Sequence, residues 1–234
     1  MATSIASAPR ASQLRFGTLV FSIIVLMMMY VLYHNERFLI DRSDPIWNHY
    51  HPFRWWLLPH GLAGACALLL GPMQFSDRLR QRYTRLHRVV GRIYVAGALV
   101  AAPLGAYIQY FQERHSGGPR SFTMAGVVDA TLWMLTTGIA FAFALQGKLP
   151  QHRQWMTRSF AVAIVFLEVR VILGITGWES GGSHVVETTV WVCLAFSLLF
   201  ADLALQWQEL SRSRAAMARR ARLRGSQGSY GPAA

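Results

Sequence analysis

Long uncharged apolar stretches alternate with short polar connectors along this chain. Each stretch approaches the length of about 20 residues that an α-helix needs to cross the hydrocarbon of a bilayer. The pattern predicts six transmembrane helices: Phe16–Tyr33, Trp55–Phe75, Val89–Phe111, Phe122–Gln146, Ser159–Trp178 and Val186–Leu205. The first follows Arg10 and Arg15 as the core of a signal peptide would. It is long for such a core, however, and no small-x-small cleavage site follows before "HNERF", so it is read as a retained helix. The predicted fold class is all-α, a polytopic membrane helix bundle with six transmembrane helices. Residues 1–15 form an N-terminal segment, 16–206 a single transmembrane domain and 207–234 a basic tail expected to end in disorder.

Composition agrees with the pattern. Of the 234 residues 53% are hydrophobic and only 15% charged, with a mean hydropathy of +0.27; a soluble domain carries about a quarter charged residues. The net charge of +12 does not point to nucleic acid, because the basic residues sit between apolar runs rather than on one soluble face. With Arg92, at the start of its span, counted with the neighbouring connector, one side of the six spans holds 17 lysines and arginines and the other 5, and Arg170 lies deeper inside a span. The positive-inside rule then predicts an inner-membrane protein with both termini cytoplasmic, N-in/C-in, its basic face against anionic headgroups. Cys66 and Cys193 both fall in apolar runs, with neither ligand-like spacing nor a disulfide framework.

Charge bias requires lysine or arginine, not histidine. Yet His87 heads one helix face that continues Gly91, Tyr94, Ala98, Ala102, Gly105, and His60 heads another that continues Gly64, Ala67, Gly71. Stripes of small residues let helix backbones approach closely; they also leave room beside a helix for a flat macrocycle. His152, in "KLPQHRQWMTRSF" just before the fifth predicted helix, lies at the same depth as His87 on the cytoplasmic face. Two imidazoles from different helices are able to supply both axial ligands of haem b. Arg85, Arg88, Arg92, Arg153 and Arg158 stand nearby, and a guanidinium suits a propionate.

Three more polar residues fall inside the predicted spans, toward the outer face. Asp129, Arg170 and His60 lie about one to two helical turns from that side, and intramembrane charges usually have partners. An Asp129–Arg170 ion pair near His60 is expected, while Glu168 points the opposite way from Arg170 and needs another partner or a proton. Such a cluster fits a structural pair, the edge of a second haem, a proton path or a small anionic ligand. His49 and His51 in "HYH" have no third ligand nearby, and His34, His115 and His184 fall in outer connectors. No nucleophile elbow, phosphate loop or zincin motif is present.

Three blocks, "PHGLAGACALLLGPMQF", "RLHRVVGRIYV" and "QHRQWMTRSFA" with Arg170 following, resemble the bacterial multi-pass membrane family called domain of unknown function 2306, over approximately residues 55 to 205. That resemblance implies an integral membrane protein and no reaction. A more distant similarity is to transmembrane cytochromes b, in which histidines of alternating helices pair across the bundle around two haems. His87 and His152 match the pairing at the cytoplasmic face. The outer face departs from it: His60 wants a histidine on the fourth helix, and "FTMAGVVDATLWMLTTG" offers only Met124 as a substitute. The resulting expectation is a protein binding one haem through His87 and His152 and passing electrons to or from a quinone or redox protein. A small-solute transporter or receptor built on His60, Asp129, Glu168 and Arg170 is one alternative, although no inverted repeat relates the two halves. A non-catalytic scaffold or assembly factor is the other.

Overall fold

The computed structural model describes residues 10–37, 41, 43, 45–113 and 120–228. His115, the side chain of His49, residues 1–9 and the end of the tail, 229–234, lie outside the described residues. Nine α-helices make up most of the described chain: α1 Arg10–His34, α2 Pro45–Tyr50, α3 Arg54–Gln74, α4 Asp77–Arg82, α5 Thr84–Tyr107, α6 Arg120–Leu145, α7 Leu149–Ala163, α8 Val165–Thr176 and α9 Ser183–Gly228. A π turn, Ile108–Glu113, extends α5. Among the described residues no strand occurs.

Five helical stretches among the described residues are long and apolar enough to cross a membrane: His51–Gln74, Thr84–Phe111, Arg120–Leu145, Leu149–Thr176 and Ser183–Ala218. A bilayer offers no partner to a free N–H or C=O, so a crossing chain closes its hydrogen bonds inside a helix. Pro59 and Pro72 inside α3 and Pro103 inside α5 remain within helix, as prolines do in membrane helices when neighbouring groups satisfy the freed carbonyls. Large apolar side chains such as Leu62, Val100, Leu135 and Ile175 face outward, where lipid replaces a protein core. The first predicted span, Phe16–Tyr33, lies within α1, Arg10–His34.

Helix ends follow local chemistry. Ser76 caps α4, its Oγ accepting from the N–H of Leu79 at 3.3 Å, with Asp77 in the first turn and Arg80 and Arg82 in the last. Gly147, at φ 71°, turns the chain between α6 and α7, and Pro150 opens α7. Two boundaries differ from expectation. The fifth predicted span starts ten residues earlier, at Leu149, so His152 sits in the first turn of a helix rather than in a loop. That span is broken at Ile164, between α7 and α8. The basic tail continues α9 as helix to Gly228, consistent with the helix-forming run "ELSRSRAAMARRARLR", and the end expected to be disordered lies outside the described residues.

Side-chain contacts fix how the helices run. The amide of Gln74, at the end of α3, meets His87 at the start of α5, while His60, early in α3, meets Ala101 late in α5. These two helices are therefore antiparallel. The same logic makes α6 and α7 antiparallel through His152 and Ala140, and α7 and α9 antiparallel through Arg158 and Asp202. Ser121 and Glu187 join the first turns of α6 and α9, which run parallel. The bundle thus has a basic end, with Gln74, His87, His152 and Arg158, and an opposite end, with Glu36, His60 and Arg170.

Candidate functional site

A buried polar network ties α5, α6 and α7 together near mid-bundle. Tyr94 is 0% exposed, and its hydroxyl lies 2.8 Å from Ser159 Oγ. Ser159 Oγ lies 2.7 Å from Thr137 Oγ1, and the Trp133 indole N–H donates to the Tyr94 oxygen at 3.3 Å. Hydroxyls and an indole N–H so far from water need such partners. The network also fixes register. His87 precedes Tyr94 by seven residues, and His152 precedes Ser159 by seven. Seven residues are about two turns, or about 10.5 Å of rise, and return to the same helix face. The two histidines consequently continue the faces of α5 and α7 that carry Tyr94 and Ser159, one layer toward the basic end.

Each of these rings is held by one nitrogen. His152 Nδ1 lies 2.8 Å from the Ala140 carbonyl oxygen, to which it donates. His87 Nδ1 lies 3.1 Å from the Gln74 side-chain amide, which also reaches the His87 carbonyl and the Gly91 N–H, both at 3.3 Å, once its nitrogen is turned toward His87. Gly91 leaves the space for that amide: a Cβ there would lie 3.1 Å from Gln74 Oε1. With its nitrogen there the amide donates to a bare Nδ1, so neutral His87 carries its proton on Nε2. Anchoring Nδ1 and leaving Nε2 is the arrangement in which protein ligands present imidazole to a metal. His152, which donates through Nδ1, presents Nε2 in that way; His87 would do so only with its proton on Nδ1 and the Gln74 amide turned back.

The surroundings fit less closely than the sequence suggested. Arg158, expected to meet a propionate, is instead bound to Asp202 of α9, with Nε and Nη2 each 2.8 Å from Oδ1. Asp202 lies near the end of the last predicted span and carried no signal for this contact. Arg85, Arg88, Arg92 and Arg153 are exposed around the basic end. The small-residue stripes do not leave a slot between α3 and α5. A Cβ on Gly97 would lie 2.8 Å from the Ala63 carbonyl oxygen, Gly71 is covered by the Phe160 ring, and Gly105 is covered by the His60 ring. These glycines bring backbones and rings into direct contact, so that seam holds no slot for a macrocycle.

At the opposite end the expected Asp129–Arg170 pair is absent. Arg170 Nη1 binds Glu36 Oε1 at 2.7 Å, and both charges act on His60. Glu36 follows the end of α1, and Arg170 is near enough to the end of α8 to meet it there. His60 Nδ1 lies 2.8 Å from the Ala101 carbonyl oxygen. Asp129, 4% exposed, has an Oδ1 with no hydrogen-bond partner among the described residues, and the charge acting on it is that of Glu168. Glu168 Oε2 accepts from Ser197 Oγ of α9 at 2.7 Å. The single predicted cluster is thus divided: Arg170 pairs with Glu36 and Glu168 with Ser197, and neither bond includes Asp129 or His60. Met124, the substitute partner for His60, is half exposed on the outside of α6 and does not serve. His51 packs its ring 5.1 Å from Trp47, and no group of three metal-ligating residues occurs among the described residues.

Several membrane-crossing helices, with polar networks enclosed between them, define a polytopic helical membrane protein. Residues 57–205 match the family described as "Predicted membrane protein (DUF2306)". The chain belongs to that family. No curated protein and no solved structure matches it.

Proposed function

We propose that this protein is a b-type cytochrome-like electron carrier of the inner membrane, with both termini cytoplasmic and one haem b held by His87 and His152. The observation that carries the reading is the shared register of the two helices. Tyr94 and Ser159 touch, and one layer toward the basic end His87 and His152 continue the same faces of α5 and α7 with their Nδ1 atoms engaged. Haem would supply a one-electron redox change. The chain's residues do the rest. The Ala140 carbonyl and the Gln74 amide orient the rings, and the Tyr94–Ser159–Thr137 layer closes the floor against water. The exposed Arg85, Arg88 and Arg92 supply positive charge for propionates and for anionic headgroups. The reaction partner is a quinone or a redox protein.

Purification in mild detergent followed by a reduced-minus-oxidised visible spectrum tests this. A Soret band that is lost in both His87→Ala and His152→Ala, and retained in His60→Ala, is the expected result. A colourless wild-type protein, or normal spectra in the two loss variants, overturns it.

A further inference from the structure

We propose that a lipid-facing groove between α1, α8 and α9 binds a membrane-dissolved quinol, whose ring hydroxyl donates to the Glu168 carboxyl at the groove floor. The inference rests on the quinone partner named for the electron carrier. It gives that partner a place of its own, toward the opposite end of the bundle from His87 and His152.

The groove holds about 400 Å³. Its walls are apolar: Met27 of α1, Ile172 of α8, and Phe196 and Phe200 of α9. Phe196 and Phe200 are 51% and 62% exposed, so the groove opens sideways to lipid. Toward the outer end of the bundle the seam between α1 and α8 is closed. The Tyr30 ring of α1 lies against Gly174 of α8, where a Cβ would come within 3.2 Å of the ring carbons. A ligand therefore enters from the hydrocarbon and not from water.

Two polar side chains interrupt the apolar lining. Glu168 Oε2 accepts from Ser197 Oγ at 2.7 Å, and Oε1 makes no bond among the described residues. Arg170, two residues on, is held by Glu36 and supplies no counter-charge there. Glu168 lies about 12 Å in from Thr176 at the end of α8, and Ser197 about 21 Å in from Ser183 at the start of α9. A carboxyl oxygen that faces hydrocarbon at such depth is costly until a donor reaches it.

That donor has to come from the bilayer. An acyl chain fills the groove but brings no donor to Oε1. A phospholipid head is held at the surface by its charge, which is costly to bury in hydrocarbon. A quinol joins uncharged hydroxyls to a small apolar ring, so donor and ring enter the layer together. The walls suit a ring, because Phe196 and Phe200 stand with centroids 6.0 Å apart and planes tilted by 31°, and aromatic rings pack offset or edge-on against such surfaces. The volume takes the ring and the first carbons of its chain, and the rest of the chain lies in lipid through the open side.

The test is photolabelling of the full chain in phosphatidylcholine nanodiscs by a decyl-substituted benzoquinol with a diazirine on its chain, kept reduced. Saturable labelling of peptides within 165–200 is expected. Excess plain decyl-benzoquinol should compete the label away. Its dimethyl ether, which keeps the shape and lacks the donor, and decanol, which keeps a hydroxyl and lacks the ring, should not. Glu168→Leu removes the acceptor and Ile172→Trp fills the groove; each should lower labelling about tenfold. Thermal melting shows which variants are folded, either one alone is decisive, and Leu135→Trp on the outside of α6 is the control that keeps the label. No saturable labelling, labelling unchanged in a folded Glu168→Leu or Ile172→Trp, or equal competition by the ether or by decanol overturns the proposal. A visible spectrum of the same samples keeps the two readings apart. Labelling without a Soret band retains the groove site and removes the haem, and a Soret band without labelling does the reverse.

Discussion

At the residue scale, the glycines that looked like space for a ligand are better understood as contact surfaces. Gly97 faces the Ala63 carbonyl, a backbone atom that cannot swing aside. Gly97→Ala should therefore push α3 away from α5 and lower stability by about 1–3 kcal/mol, as overpacking of close-packed sites does. Gly61 lies on α3 as well, with nothing within 4 Å of the position its Cβ would take. Gly61→Ala should be neutral or slightly stabilising, since alanine is the better helix former. Thermal melting in a single detergent compares the two; equal losses would show that packing at Gly97 is not what the α3–α5 contact depends on. The histidines were visible as residues, but their anchors were not. Nothing in the sequence connects Gln74 with His87 or the Ala140 carbonyl with His152, because these contacts join different helices.

At the element scale, the register of α5 against α7 governs the candidate site. It is set by the hydrogen bonds of Tyr94, Ser159, Thr137 and Trp133. Tyr94→Phe removes a hydroxyl that serves two buried partners, and a cost of about 1–3 kcal/mol is expected from the groups left unpaired. Ser159→Ala should add less than its own single effect when combined with Tyr94→Phe, because the two residues share a bond. A double-mutant cycle by melting or reversible denaturant unfolding measures that coupling; strict additivity would remove the network from its role in register. Tyr94 was legible as a member of the His87 face, since a helical period of 3.6 is enough to place it there. Ser159 was read only as the start of a span. Its pairing depends on α7 beginning at Leu149, and the helix start falls in a polar stretch that hydropathy alone treats as connector.

At the scale of the whole molecule, the helices alternate in direction, with short turns at the basic end between α6 and α7 and at the opposite end between α8 and α9. Arginines gather at one end, so the positive-inside rule gives a definite expectation. Reporter fusions at residue 234 and in the Gly147–Lys148 turn should read as cytoplasmic, and one near Gly181 as external. An external C-terminal reporter would reverse the topology and place the histidine layer near the other face. The helical α9 extension, which carries Arg212 and Arg214 beyond the α7 contact at Glu209, would then face away from the anionic leaflet.

By itself the sequence determined the class of molecule, the five apolar stretches long enough to cross among the described residues, and the charge bias. The physical reason is that a bilayer leaves helix as the way for these stretches to cross, so length and hydropathy translate directly into structure. Only the tertiary structure decided which polar groups meet. Arg170 chose Glu36 over Asp129, Arg158 chose Asp202, and Glu168 found Ser197. Periodicity gives the face of one helix, but the order and rotation of helices around a bundle follow from how small residues let neighbours approach. Those choices are made between segments far apart in the chain, and no single segment records them.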